Sequence, residues 1–232
     1  MKSCTQCVIR EKAICQSLSE DELDSLNAVG RHQALKRGQT VVWQGDESLL
    51  VGNVIDGVLK LSVTSAEGKD QTLGIMFPSD FIGRPFGART QHSVVALTDA
   101  HICTFRRSGF DDFARRHPDL EHSLLQRTLL DLDRTREWMV LLGRKSAMAR
   151  VASFLVAMGE RVGRTVQADD NGTLHFDLPL SRQDIADLLG LTIETVSRQI
   201  THLRERGIIE TPGRRGIVVL DGESLRECAE EA

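Results

Sequence analysis

No stretch of this 232-residue chain approaches the roughly 20 consecutive apolar residues of a membrane helix. The N-terminus also lacks the apolar run of a secretory signal. The protein is therefore expected to be soluble, cytoplasmic and free of any membrane partner. No internal repeat or low-complexity tract appears. The five cysteines, an odd number in a chain expected in a reducing compartment, argue against a disulfide framework. Excess positive charge is missing as well: the net charge is −4, which excludes indiscriminate binding to polyanions. What remains is 41% hydrophobic content, enough for two small domains with cores of their own.

The most informative stretch is LPLSRQDIADLLGLTIETVSRQITHLRERGII, residues 178–209. It predicts two short helices joined by a tight turn. Ser181 is suited to cap the first, Asp184 makes its first turn acidic, and Ile185, Leu188 and Leu189 form its buried face. Gly190 permits the turn, Thr192 caps the second helix and Gly207 ends it. Val196, Ile200 and Leu203 then face inward, and Ile193, Glu194, Ser197 and Arg198 face outward near the helix N-terminus. A helix-turn-helix protein places its base-reading side chains there. Arginine can bond guanine O6 and N7, glutamate can accept from cytosine N4, and serine or an apolar group can meet a thymine methyl. This stretch predicts a reader of double-stranded DNA.

Charge agrees once it is divided. Residues 1–143 carry 17 basic and 19 acidic side chains, residues 144–215 carry 11 and 9, and residues 216–232 carry 1 and 5. The mild positive balance lies with the helix pair, and the acidic tail reads as a solvated end.

Before the helix pair, LSEDELDSLNAV (18–29) predicts a helix capped by Ser19, with Leu23, Leu26 and Val29 at helical spacing. From Leu35 to Phe105 short apolar runs (TVVW, LLVGNVI, VLKLSV, QTLGIMF, SVVAL, AHICTF) alternate with glycine-bearing turns. That texture predicts a small antiparallel barrel or jelly roll. A long helix follows from about Pro118 to Leu142, stopped by Gly143, and a second from Ser146 to Val162 with Val151, Phe154, Leu155 and Met158 on one face. RTVQADDNGT (164–173) reads as a polar loop with an Asn-Gly turn. Leu174–Leu178 reads as a strand. IIETPGRRGIVVL (208–220) reads as a hairpin wing whose Arg214 and Arg215 can reach phosphate. The fold class is α+β: a cysteine-bearing arm (1–20), a sensory β-barrel (21–117), a long dimerisation helix (118–143) and a winged helix-turn-helix (144–232).

On the long helix Leu125, Thr128, Leu132, Thr135, Met139 and Leu142 fall at alternating three- and four-residue steps, a coiled-coil seam that predicts a homodimer. The barrel-packing face of this helix is better explained by Leu124, Leu130, Trp138 and Leu141. A seam with two threonines is weak, and a weak seam can be switched.

Three cysteines, Cys4, Cys7 and Cys15, crowd the first fifteen residues as C-x2-C-x7-C. The arm reads as polar, with little to bury, so a metal is the obvious organiser; unliganded thiols are the plain alternative. A C-x2-C thiol-redox motif, and with it a thiol oxidoreductase, would need a βαβ context that is absent.

The order of these parts resembles the Crp/Fnr family of bacterial transcription regulators over nearly the whole chain. The barrel resemblance lies at Gly38, Gly45-Asp46, Ile55 to Leu61 and Asp80 to Gly83. The DNA-reading motif IETVSR (193–198) resembles the Fnr branch, whose E-x-x-S-R reads TTGAT-type half-sites. The resemblance implies that Glu194, Ser197 and Arg198 contact bases. It implies a [4Fe-4S] cluster held by Cys4, Cys7, Cys15 and a fourth barrel cysteine, which alignment puts at Cys103. Four thiolates suit an iron–sulfur cube, whereas zinc sites usually pair two knuckles and no second knuckle lies near Cys103. Cys228 falls outside the pattern as a bystander. Where the family's cyclic-nucleotide branch carries Gly-Glu and Arg-Ser, this chain has Arg84 and Gln91-His92, which argues against cyclic AMP. The loop Ser65–Asp70 sits where family activators touch RNA polymerase. The resemblance thus implies a non-enzymatic, oxygen-responsive regulator; the alternative is a regulator of the same type sensing nitric oxide, haem or a small ligand.

Overall fold

The computed structural model describes residues 4–68, 70–162 and 173–231. Lys69 and the Asn171-Gly172 pair lie outside them. The chain divides into two compact units, residues 1–133 and 134–232, and the division falls inside the long helix.

The first unit begins with three short 3-10 turns, Cys4–Gln6, Arg10–Lys12 and Ile14–Ser17. Helix α1, Glu20–Val29, follows behind a capping box in which Ser19 and Glu22 bond reciprocally. Leu23 and Leu26 are buried, but Val29 is half exposed, contrary to the spacing-based expectation. It is the last residue before the chain turns into β1, Gly30–Leu35, a mostly exposed strand that hydrophobicity alone does not reveal.

The remaining barrel strands are β2 (Thr40–Val42), β3 (Leu50–Asp56), β4 (Leu59–Thr64), β5 (Asp70–Met76), β6 (Phe81–Gly83), β7 (Ser93–Ala96) and β8 (Ala100–Arg106). They form two four-stranded antiparallel sheets, β1-β8-β3-β6 and β2-β7-β4-β5, as the alternating texture requires. One core, including Val54, Leu59, Ile82, Val94 and Ile102, draws on strands of both sheets. A second core joins Val51, Cys103 and Phe105 of the first sheet to Leu23 and Leu26 of α1 and to the arm. It also takes Phe110 and Phe113 from α2 (Arg107–Arg116), a helix not anticipated from sequence. Strand alternation explains the two cores: Ile102 belongs to one, Cys103 and Phe105 to the other.

Helix α3 runs from Pro118 to Arg144, so Gly143 does not stop it. The second unit contains α4 (Ala147–Val162), β9 (Leu174–Asp177), α5 (Arg182–Leu189), α6 (Ile193–Glu205), β10 (Ile209–Glu210), β11 (Gly216–Val219) and α7 (Gly222–Glu230). The three strands form a small sheet in the order β10-β11-β9. The expected face of α4 is buried at Val151, Phe154, Leu155 and Met158. The acidic tail is not a solvated end. It supplies β11 and α7, and Leu225, Cys228 and Ala229 are buried because Asp221 caps a helix amphipathic enough to pack. No helix of the described residues is long and apolar enough to cross a membrane.

Candidate nucleic-acid interface and metal centre

Local chemistry builds the helix pair. The Ser181 hydroxyl accepts from the Asp184 N–H at 3.1 Å, while the Asp184 carboxylate accepts from the Ser181 N–H at 3.0 Å. Ile185, Leu188 and Leu189 are buried, and Gly190 takes the left-handed φ of 61° that closes the turn. Arg150 of α4 donates to the Leu189 carbonyl at 3.1 Å and fixes the end of α5. Thr192 accepts from the Thr195 N–H at 3.2 Å to start α6. Val196, Ile200 and Leu203 anchor α6, leaving Ile193, Glu194, Ser197 and Arg198 exposed on its first turns. Its own backbone N–H and the Thr192 hydroxyl hold the Glu194 carboxyl below its usual range, so it stays a charged acceptor. Arg214 and Arg215 lie in the turn between β10 and β11, as a wing requires. Every outward residue expected from the sequence is outward.

The thiol site is assembled by tertiary packing. Cys103 is buried on β8, and the partly buried Cys4 and Cys15 pack against the core that contains it. All four thiols, Cys7 included, lie within one another's electrostatic reach. Burial, then the neighbouring Cys103 and Cys7, push Cys4 up to about 11; burial, then Cys103, push Cys15 up to about 12. Burial also raises Cys103, against hydrogen bonding from Asn53. Free thiols in such a place hold their protons at neutral pH, so a metal bound here must displace them. Among the described residues no three Cys, His, Asp or Glu side chains stand close enough to share one metal ion. A single zinc wants sulfurs about 3.8 Å apart, from Zn–S bonds of about 2.3 Å. A four-iron cube takes each thiolate on a different iron, so its ligands stand further apart. Cys4 and Cys15 against the core of Cys103, with Cys7 in the same arm, give the all-thiolate donor set that such a cube takes.

Two features of this site were not legible in the sequence. The arm is not a polar appendage: Ile9, Ala13, Ile14 and Leu18 are each at most 5% exposed, and Ile14 and Leu18 join the core that contains Cys103. Beneath it, Asn53 of β3 lies opposite Cys103 in the sheet register and is fully buried. Its Nδ2 donates to the Cys103 Sγ at 3.8 Å, and its Oδ1 has no partner among the described residues. A buried acceptor left so costs about 1–3 kcal/mol.

On α3 all six seam residues, Leu125, Thr128, Leu132, Thr135, Met139 and Leu142, are exposed, together with Leu129 and Val140. Leu130 is exposed too and does not belong with the barrel-facing side, because it lies well around the helix from Leu124, which does pack on the core. Trp138 is half-buried and Leu141 buried within the second unit. The first half of α3 is pinned to the barrel by Arg127, whose guanidinium pairs with the largely buried Asp80 carboxylate. Asp80 also accepts from the Phe77 N–H at 2.9 Å, holding the turn before β6.

Family models match both units: a cyclic nucleotide-binding domain over residues 32–117 and a Crp-like helix-turn-helix domain over residues 149–228. The chain is 40% identical to the transcriptional activator protein FnrL of Cereibacter sphaeroides over 97% of its length and 91% of that protein. The chain belongs to the Crp/Fnr family of transcription regulators. It is 38% identical to the nitrogen fixation regulation protein FixK of Bradyrhizobium diazoefficiens, over 97% of this chain and 93% of that one. The solved structure of FixK2 from Bradyrhizobium japonicum superposes with a TM-score of 0.80 at 29% identity, covering 88% of this chain and 99% of the other. As in Crp/Fnr regulators generally, the helix-turn-helix supports DNA binding. Arg84 lies just past β6, and Arg89 donates to the Gly45 carbonyl at 2.9 Å. An open groove of about 880 Å³, lined by Phe81, Arg84, Phe86, Arg115 and Leu124 among others, runs along the first half of α3.

Proposed function

We propose that this protein is an oxygen-responsive transcription activator that binds a [4Fe-4S] cluster at Cys4, Cys7, Cys15 and Cys103 and reads TTGAT-type half-sites as a homodimer. The observation that carries this reading is the meeting of Cys103 with the arm cysteines, almost ninety residues away in sequence. The relatives FnrL and anr, both named transcriptional activator proteins, support the activator part of it. When bound, such a cluster supplies an oxygen-labile centre. The residues of the chain do the rest. The four thiolates tie the arm to β8 and so to the core that includes Leu120 and Leu124 of α3. Ordering there steadies the exposed seam from Leu125 to Leu142, where a second copy pairs through apolar contacts worth about 1.5–3 kcal/mol per well-buried Leu or Met. Pairing presents two α6 helices to successive major grooves, with Arg198 on guanine, Glu194 on cytosine and Ser197 on a thymine methyl. The turn Ser65–Asp70 between β4 and β5 is the surface offered to RNA polymerase. Without a common centre for the four thiolates, the arm would be held to β8 by its apolar contacts alone, and the weak seam would let go.

Purification without air tests this directly. The expected product is brown, holds about four irons and matching sulfide per chain, and sediments as a dimer that binds its sites until air is admitted. Exposure to air should bleach it and return it toward monomer. A colourless or zinc-bearing protein that binds DNA equally well in air overturns the reading. A small-molecule signal in the α3 groove would then take its place, as the mixed aromatic and basic lining there favours.

A further inference from the structure

We propose that Asn53 is a positioning residue for the thiol site: its buried amide donates to the Cys103 sulfur and tunes the redox behaviour of the cluster held there. The inference rests on the cluster reading above. Residues 51, 53 and 55 alternate onto one face of β3, and the other two are Val51 and Ile55, both part of or packed against the core under the arm. An asparagine in that row is poorly served by the fold: among the described residues its Oδ1 has no partner and its Nδ2 donates to a sulfur. A leucine or valine would fill the position at lower cost, so the amide is there for the sulfur. Gly52 strengthens the point. A Cβ at that position would fall 2.0 Å from the Cys103 carbonyl oxygen, so β3 and β8 approach as closely as they do only because residue 52 has no side chain.

The second amide at the site works in the opposite sense. Asn27 offers its Oδ1 to the Cys4 Sγ–H at 3.3 Å, a contact that favours the protonated thiol and disappears when the thiol becomes a ligand. Asn53 offers an N–H, which favours charge on sulfur. Hydrogen bonds to ligand sulfur stabilise the more negatively charged, reduced state of an iron–sulfur group and raise its reduction potential. Asn53 therefore makes the bound cluster harder to oxidise and slows its loss to oxygen.

The test compares wild type with Asn53→Leu, purified without air. N53L should take up the same iron and dimerise normally. Its potential in a redox titration should move negative, and its colour should bleach several-fold faster in air. The iron-free N53L chain should melt no lower than iron-free wild type. Unchanged potential and bleaching rate overturn the role, as does a lower iron-free melting temperature with an unmoved potential, which marks a structural residue. If N53L takes up no iron, Asn53→Ala removes the amide without bulk and is judged on the same potential and bleaching rate. A wild-type protein that takes up no cluster sinks the functional reading and this one together; a wild-type cluster that N53L leaves unmoved sinks this one alone.

Discussion

Helix α6 brings Glu194, Ser197 and Arg198 to the surface with devices that lie within a few residues of them: a threonine cap, a glycine turn and three inward apolar side chains. The thiol site shares almost none of that economy. Cys103 meets the arm only because β8 turns it outward, β3 comes close at Gly52, and α1 and α2 hold a second core on that face. One region is specified by neighbours in sequence and the other by neighbours in space. Under the proposed function, a signal acting on the second region leaves the local caps and core of the helix pair in place, and the seam on α3 is what yields.

Breaking the long-range region should have the larger effects. Cys103→Ala is expected to abolish the brown chromophore, shift the protein from dimer toward monomer and remove site-specific DNA binding without air, as should alanine at Cys4, Cys7 or Cys15. Anaerobic sedimentation with iron analysis reads all of these. Cys228→Ala serves as the control. That thiol is buried beside Arg206, whose Nη1 donates to it at 3.2 Å, so the expected cost is about 1 kcal/mol of stability with iron content intact. Full iron retention in Cys103→Ala would show that the fourth ligand lies elsewhere.

The ion pair that pins α3 to the barrel comes next. Asp80→Ala leaves the Arg127 guanidinium, whose side chain is only 18% exposed, without its counter-charge. The expected loss is about 3–5 kcal/mol in chemical denaturation, and Asp80→Leu combined with Arg127→Met should recover most of it. A loss below 1 kcal/mol in the single variant would mean that α3 is held by its apolar contacts alone.

Effects at the reading end are smaller and more specific. Arg198→Ala should cost about 1–3 kcal/mol of binding per half-site and relax preference at one base pair, measured by competition between operator variants. An equal loss on all sequences would make Arg198 a phosphate contact instead. Ser181→Ala, which removes one hydroxyl from the capping box, should lower stability by only about 1 kcal/mol and leave sequence preference unchanged. If it instead abolished DNA binding, the helix pair would depend on more than its local caps.

The same contrast decides what could be read in advance. Caps, turns and 3.6-residue periodicity act over one or two helical turns, so the residue string alone determined α5, α6, the wing, the alternating strands and the outward set from Ile193 to Arg198. The polar strand β1 escaped because its stability comes from hydrogen bonds to β8 rather than from buried side chains. Helix α2 and the C-terminal α7 escaped because their few apolar residues become a face only when α2 meets β8 and α7 meets α4. Charge alone made the tail look solvated. The arm likewise looked too polar to fold, since Ile9, Ala13, Ile14 and Leu18 do not show which surface will receive them. Cysteine spacing marked Cys4, Cys7 and Cys15 as a set, and family resemblance added Cys103. That Cys103 faces the arm, with Asn53 against its sulfur and Gly52 making room, was decided by tertiary structure, because strand register and sheet pairing are set by the whole barrel and by no local run of residues.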